Sequence, residues 1–482
     1  MVLRHKRAVI LGLISFFTFS LMSSPSNGLN QIDLEDAPDI IFFNGNIITM
    51  EDNYPFVEAI AIKGDIIHSV GNESDILTLG DSNTRYIDLQ GKTIVPGFID
   101  SHSHWIGDRG LTNQTELDGV INTLLSNGWT SISELFVNQD RLNELQAVDA
   151  ENLLKVRVNA YLPLSWQFER FGDWYQMYEP GYEYSPNLRI AGVKFFMDEW
   201  YRQPVLFFNQ SELEGLFQEA HDWGFQIAIH SVVTNATDVV LNAFETVLGS
   251  EWNHQRHRIE HLVLLRNDQI TRMANLGIYG CVQFPWFNSD MIGRIERDID
   301  LIESVYFLCR WRDLLDAGIH LMGSTDYPYT LHDTKSPLQC LSMAVTRVGV
   351  EGHTPTDFML NQTITPEEAL RLLTLNGAYG TFQEDVKGSL RLGKYADLVV
   401  LSDNPLTVPE SELVDIKVLM TMIGGKEEFI EGIFTTESSS VTSNSTQTKL
   451  TLASSSQTKT TNAPTLIFTF LGVIILYHRR RK

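Results

Sequence analysis

Eight short runs rich in Val, Ile and Phe recur along the middle of the chain. They lie at residues 93–102, 130–137, 156–164, 190–197, 226–232, 258–264, 277–284 and 319–324. The runs show little polar alternation, which is how strands read when both faces of a parallel sheet are buried. Amphipathic stretches fit the gaps, as at 211–223 and 236–247. Strand and helix alternating eight times predict an α/β chain built on a (β/α)8 barrel of the TIM type.

Residues 39–91 have a different pattern. Short alternating runs are separated by hairpin signals at Asn44-Gly45 and Lys63-Gly64-Asp65. After the last barrel strand, residues 366–379 predict a helix capped by Thr365. Residues 388–401 and 414–424 then return to strand. The expected layout is a small β-sandwich built from both sides of the barrel. Residues 29–92 and 381–434 would form the sandwich, and 93–380 the barrel.

The two ends read as targeting segments. Residues 1–28 carry Arg4, Lys6 and Arg7, then an apolar run, then small polar residues, the pattern of an export signal. Residues 435–463 are rich in Ser and Thr and predict a stalk. Residues 464–482 hold an apolar run closed by Arg479, Arg480, Arg481 and Lys482. That end reads as a transmembrane anchor or as a C-terminal sorting signal, and basic residues keep it on the cytoplasmic side. The expectation is an exported protein, anchored by its C-terminus on the outer face of the membrane.

Composition narrows the partners. The 482 residues include 36 Lys+Arg against 60 Asp+Glu, a net charge of −24. A nucleic-acid binder needs a basic face, so that class is excluded. The two ends hold nine of the basic residues and one acidic residue, so the body is more acidic than the whole. Neutral or cationic small molecules are the expected substrates. Three Cys and no CxxC motif exclude a disulfide scaffold and read as buried thiols.

The residues that carry chemistry fall at strand ends. His102 and His104 follow Pro96-Gly97-Phe98-Ile99-Asp100-Ser101. Positions i and i+2 of a strand face the same side, so both rings would face the barrel mouth. Two converging imidazoles suit a transition metal. His230 ends the fifth run and His261 lies in the sixth, within Arg258-Ile-Glu-His. Asp326 follows the eighth, within Gly323-Ser-Thr-Asp-Tyr-Pro, where it can bind metal and hold a proton. Lys194 sits inside the apolar fourth run. A buried Lys is costly without a partner. It reads as paired with Asp198 or Glu199, or as a carbamate that becomes an anionic ligand. Gln283 and Trp286, after the seventh run, are candidate substrate-binding residues or packing residues. The aromatic cluster Trp166, Phe168, Phe171, Trp174 and Tyr175 reads as a lid or a loop anchor. The remaining histidines, His221 and His257 among them, read as structural.

This ordered set, from 96–104 through Lys194, His230, 258–261 and 323–328 to the strand at 388–401, resembles the metal-dependent amidohydrolase superfamily. The resemblance is to its third family, which includes N-substituted formamide deformylases, and it spans roughly 39–432. It implies that His102, His104, Lys194, His230, His261 and Asp326 bind one or two divalent ions, Zn²⁺ above all. It also implies that Asp326 and His230 are catalytic. Two departures stand out: the segment between His104 and Lys194 is compact, and 231–236 reads Ser-Val-Val-Thr-Asn-Ala, without the family's Asp-Arg pair. The expected activity is hydrolysis of non-peptide carbon–nitrogen bonds in amides, N-acyl or N-formyl compounds, or cyclic amides. The alternatives are an ester or phosphotriester hydrolase on the same metals, or a non-catalytic surface binding protein.

Overall fold

The computed structural model describes residues 37–106, 114–199, 205–286, 307–330, 334–349, 352, 355–432 and 436–438. The expected export signal, the expected stalk beyond Ser438 and the expected C-terminal anchor or sorting segment lie outside these. Among the described residues no helix is long and apolar enough to cross a membrane.

Eight parallel strands stand side by side in chain order: β1 (Phe98–Ser103), β2 (Trp129–Glu134), β3 (Arg157–Pro163), β4 (Leu188–Phe196), β5 (Gln226–Ser231), β6 (Arg258–His261), β7 (Tyr279–Gln283) and β8 (Leu321–Ser324). Nearly every residue in them is buried, which accounts for the continuous apolar runs. The ring is drawn together between β1 and β8. Asp100 accepts from the Thr325 backbone N–H (2.8 Å) and hydroxyl (2.5 Å). The Asp326 N–H reaches the His102 carbonyl (2.8 Å), and the His104 N–H reaches the Tyr327 carbonyl (2.8 Å). Helices α1 (Gln114–Ser126), α2 (Gln139–Ala150), α3 (Gln210–Asp222), α4 (Thr234–Leu248) and α5 (Asn267–Leu276) fill gaps between strands.

Three expectations need correction. The run 93–102 is two strands in two sheets. Thr93–Pro96 pairs with Asn46–Ile48 and Leu398–Leu401, while Phe98–Ser103 enters the barrel. Gly97 makes the crossing, because a Cβ there would lie 2.1 Å from the Thr130 hydroxyl. No α-helix follows β3. The segment 164–187 forms the hairpin Ser165–Trp166/Glu169–Arg170, a 3-10 turn and the short strand Glu183–Ser185. Its many aromatic residues pack better on such a surface than on a helix. The helix at 366–379 is also two, Pro366–Leu372 and Leu375–Gly380, broken at Thr374 with φ −137°. Thr365 does cap the first, accepting from the Glu368 N–H while the Glu368 side chain bonds back.

Two further sheets pack face to face. One has the order Thr436–Ser438, Arg85–Asp88, Ile40–Phe43, Ala59–Lys63, Ile66–Gly71. The other runs Lys426–Ile430, Val418–Ile423, Leu398–Leu401, Thr93–Pro96, Asn46–Ile48, Phe56–Val57. Ile40, Phe42, Ile60 and Ile62 of the first meet Ile94, Leu398, Val400 and Met422 of the second. Ile41, Ala59 and Ala61 face the opposite side, so the period of two is strict here. Each such residue taken from water contributes about 1.5–3 kcal/mol if large. A buried ion pair ties barrel to sandwich: Arg157 on β3 meets Asp397 at 2.6 and 2.8 Å.

Candidate metal centre

The carboxyl ends of the strands bring six side chains to one mouth. His102 ends β1 and His104 lies just past it, with ring centroids 5.5 Å apart. Both present Nε2 to Asp326 Oδ1, at 3.4 and 3.5 Å. The ligand-type atoms of these three residues all lie within 4.8 Å of one another. His261 on β6 stands 4.8 Å from the His102 ring and 4.3 Å from the His230 ring. Lys194 points inward from β4 and is fully buried.

Strand parity explains part of this arrangement and local strain the rest. Glu260 and His261 are neighbours on β6, so a regular strand would send them to opposite faces. Both nevertheless reach His102, because the chain turns sharply at His261 (φ 78°) and Leu262 (φ 50°). Asp326 has φ 57°. Positive φ at non-glycine residues costs about 1–3 kcal/mol each and clusters at functional sites.

Several groups around the mouth are held by neighbours. His102 Nδ1 meets Glu260 Oε2 at 2.5 Å, and Glu260 Oε1 meets Arg258 Nε at 2.6 Å. Arg258 also donates to the Ser101 carbonyl (2.8 Å) and lies over the Tyr161 ring. His261 Nδ1 meets Gln283 Oε1 at 2.7 Å, and Gln283 donates to Ser324 Oγ (3.0 Å). Trp286 stacks on His261 at 4.6 Å and donates from Nε1 to Asp326 Oδ2 (2.9 Å). Asp198 accepts from the Val232 and Val233 N–H groups and stands 3.5 Å from His230 Nε2.

Gln283 and Trp286 therefore touch the predicted ligands themselves. Lys194 pairs with neither predicted carboxylate: Asp198 serves the β5 turn, and Glu199 accepts from Gln167 (3.0 Å). The fully buried Lys194 Nζ has no hydrogen-bond partner. His221 and His257 bond each other at 3.0 Å, at the amino ends of β5 and β6 and away from the carboxyl-end mouth. Cys281, Cys309 and Cys340 are buried free thiols.

Burial sets the protonation states. It holds His102, His230 and His261 well below the ordinary imidazole pKa and His104 at about 3, with the Lys194 charge adding to the effect. Neutral imidazole is the form that binds metal. Burial lowers Lys194 to about 8, against the pull of Glu260 and Asp326. It raises Asp326 well above the usual carboxylate range, with Lys194 opposing.

This donor set fits a divalent ion. His230 Nε2 and Lys194 Nζ are buried without hydrogen bonds, as atoms awaiting a ligand would be. A second grouping of His102, Glu260 and Cys281 fits less well. There Glu260 is committed to Arg258, and burial keeps the Cys281 thiol protonated. Glu260, Asp198 and Asp100 were not foreseen as site residues. Glu260 stands in the quoted Arg-Ile-Glu-His, but a regular strand would turn it away from His261.

Comparison with known proteins agrees with this fold. The amidohydrolase family matches residues 109–428. An N-substituted formamide deformylase from Arthrobacter pascens is 22% identical, aligned over 80% of this chain and 97% of the relative. An imidazolonepropionase from Treponema denticola is 22% identical over 75% and 89%. A metal-dependent hydrolase of Pyrococcus horikoshii superposes with TM-score 0.64 at 23% identity, covering 77% and 99%. The zinc complex of an atrazine chlorohydrolase from Arthrobacter aurescens gives 0.57 at 18%, covering 80% and 94%. With the barrel, the strand-end histidines and this family match in place, the chain belongs to the amidohydrolase family and is a hydrolase of non-peptide carbon–nitrogen bonds.

Proposed function

We propose that the substrates are neutral or cationic small molecules carrying an amide, N-acyl, N-formyl or cyclic amide bond. The observation that carries this reading is the convergence of His102 Nε2 and His104 Nε2 on Asp326 Oδ1. His102, His104, Lys194, His230, His261 and Asp326 would hold one or two ions, with Zn²⁺ the proposed metal. A bound divalent ion supplies Lewis acidity and lowers the pKa of water toward neutrality.

The chain's own residues do the rest. Asp326 takes a proton from the attacking water as the C–O bond forms. It returns that proton to the leaving nitrogen as the C–N bond breaks. Trp286, donating to the other Asp326 oxygen, fixes the orientation of the carboxylate. His230 Nε2 is available to the ion or, as N–H, to the developing oxyanion. Gln283 sets the His261 tautomer. Lys194 is buried, unbonded and lowered in pKa, so more of it is neutral amine, the form that adds CO₂ to give a carbamate. The basic and apolar ends of the sequence support export and attachment at the outer membrane face.

The test is elemental analysis of the purified chain with a substrate screen. One or two zinc ions per chain are expected. Activity on N-acyl or N-formyl amides should be lost on chelation and restored by zinc. Absence of bound metal under replete conditions, or turnover of esters and phosphotriesters alone, would overturn the reading. Labelling with ¹³C-bicarbonate should give a carbamate carbon signal that Lys194→Gln lacks.

A further inference from the structure

Among the described residues the ladder pairing of the barrel runs in chain order from β1 to β8 and does not continue from β8 to β1. Asp100 and two backbone bonds span that seam. Asp100 lies on β1, two residues before His102, and is fully buried. Its Oδ1 accepts from the Thr325 N–H (2.8 Å). Its Oδ2 accepts from the Thr325 hydroxyl (2.5 Å) and from Trp105 Nε1 (3.1 Å). Thr325 Oγ1 in turn accepts from the Tyr327 N–H (3.0 Å), and the Tyr327 ring stacks on Trp105 at 4.0 Å. Asp326 therefore stands between two residues fastened to Asp100, Thr325 directly and Tyr327 through Thr325 and Trp105.

No Lys or Arg among the described residues pairs with Asp100; three neutral donors satisfy it. A carboxylate taken out of water is costly, and well-packed apolar side chains would close the ring at less cost. The turn it restrains supplies the reason. Asp326 has a left-handed backbone, φ 57°, which a non-glycine residue keeps only where its surroundings impose it. We propose that Asp100 is a positioning residue of the reaction. Through Thr325 and Trp105 it holds the strained turn at Asp326, and so aims the Asp326 carboxylate, without touching the reacting atoms. The inference rests on the reading of Asp326 as the proton carrier. A mere clamp on the barrel would be indifferent to the side chain at 326, whereas a positioning residue has nothing to aim once that carboxylate is gone.

A double-mutant cycle separates the two roles. Asp100→Asn keeps the shape but puts an NH₂ group, which cannot accept, in place of one carboxylate oxygen. It should lower kcat about 10- to 100-fold, with KM changed less than about twofold. Thr325→Val should act in the same direction and Thr325→Ser should recover most of the rate, so the test stands even where Asp100→Asn fails to fold. Beside Asp326→Asn, either change should lower the residual kcat by less than about twofold. Chelator competition reads the same cycle without turnover. Asp100→Asn should loosen the zinc Kd about tenfold in the native background and leave it unchanged beside Asp326→Asn. Equal losses in both backgrounds, or native kcat and zinc Kd in Thr325→Val, would overturn the proposal and leave Asp100 a clamp on the barrel. Near-full activity of Asp326→Asn alone is a different failure: it removes the proton carrier beneath the proposal, and the proposal with it.

Discussion

Asp326→Asn should lower kcat by about 10²–10⁴-fold while bound metal stays near one ion per chain or above. The amide keeps the side-chain shape and its acceptor toward Trp286 Nε1, 2.9 Å away in the native site. It loses the ability to take a proton from water and return it to nitrogen. Paired rate and metal measurements on one preparation check this. Near-full activity would falsify the assignment of Asp326 as the proton carrier. Loss of metal in step with activity would make Asp326 chiefly a ligand.

Glu260→Gln should act on stability and metal affinity together. Glu260 lies between two buried groups, His102 Nδ1 at 2.5 Å and Arg258 Nε at 2.6 Å. Burial alone would lower the Arg258 pKa, but Glu260 outweighs that and raises it, so the guanidinium stays charged. Removing the carboxylate strands that cation in a fully buried site, which costs about 3–5 kcal/mol. It also frees the His102 ring, and loss of such an orienting partner weakens metal binding about 10–100-fold. Urea unfolding and chelator competition measure the two effects separately. A variant with native stability and native affinity would show that Glu260 only fills space.

The same residues show how far the sequence could be read. His102 and His104 were legible because the period of two is a local property of any strand. Asp326, His230 and His261 were legible as candidates because each lies in or just after an apolar run, and the strand ends of a parallel barrel share one face. Glu260 was not, since its orientation depends on the positive φ at His261, which no periodicity encodes. The pairing of Lys194 failed for a related reason. Asp198 is four residues away in sequence, but the β5 turn takes its carboxylate. Gln283 and Trp286 were found as residues near the site, yet their contacts with His261 and Asp326 belong to neighbouring strand ends.

By itself the sequence determined most of the alternation of strand and helix, the flanking sheets and the candidate ligand residues, because burial and strand period leave their mark on adjacent positions. Only the tertiary structure decided that residues 93–102 divide between two sheets, that hairpin and 3-10 turn replace a helix after β3, and that Glu260 locks His102 to Arg258. Each of these depends on groups distant in sequence but adjacent in space: the Thr130 hydroxyl against Gly97, the Trp166 ring against Phe196, and the buried guanidinium behind the first histidine.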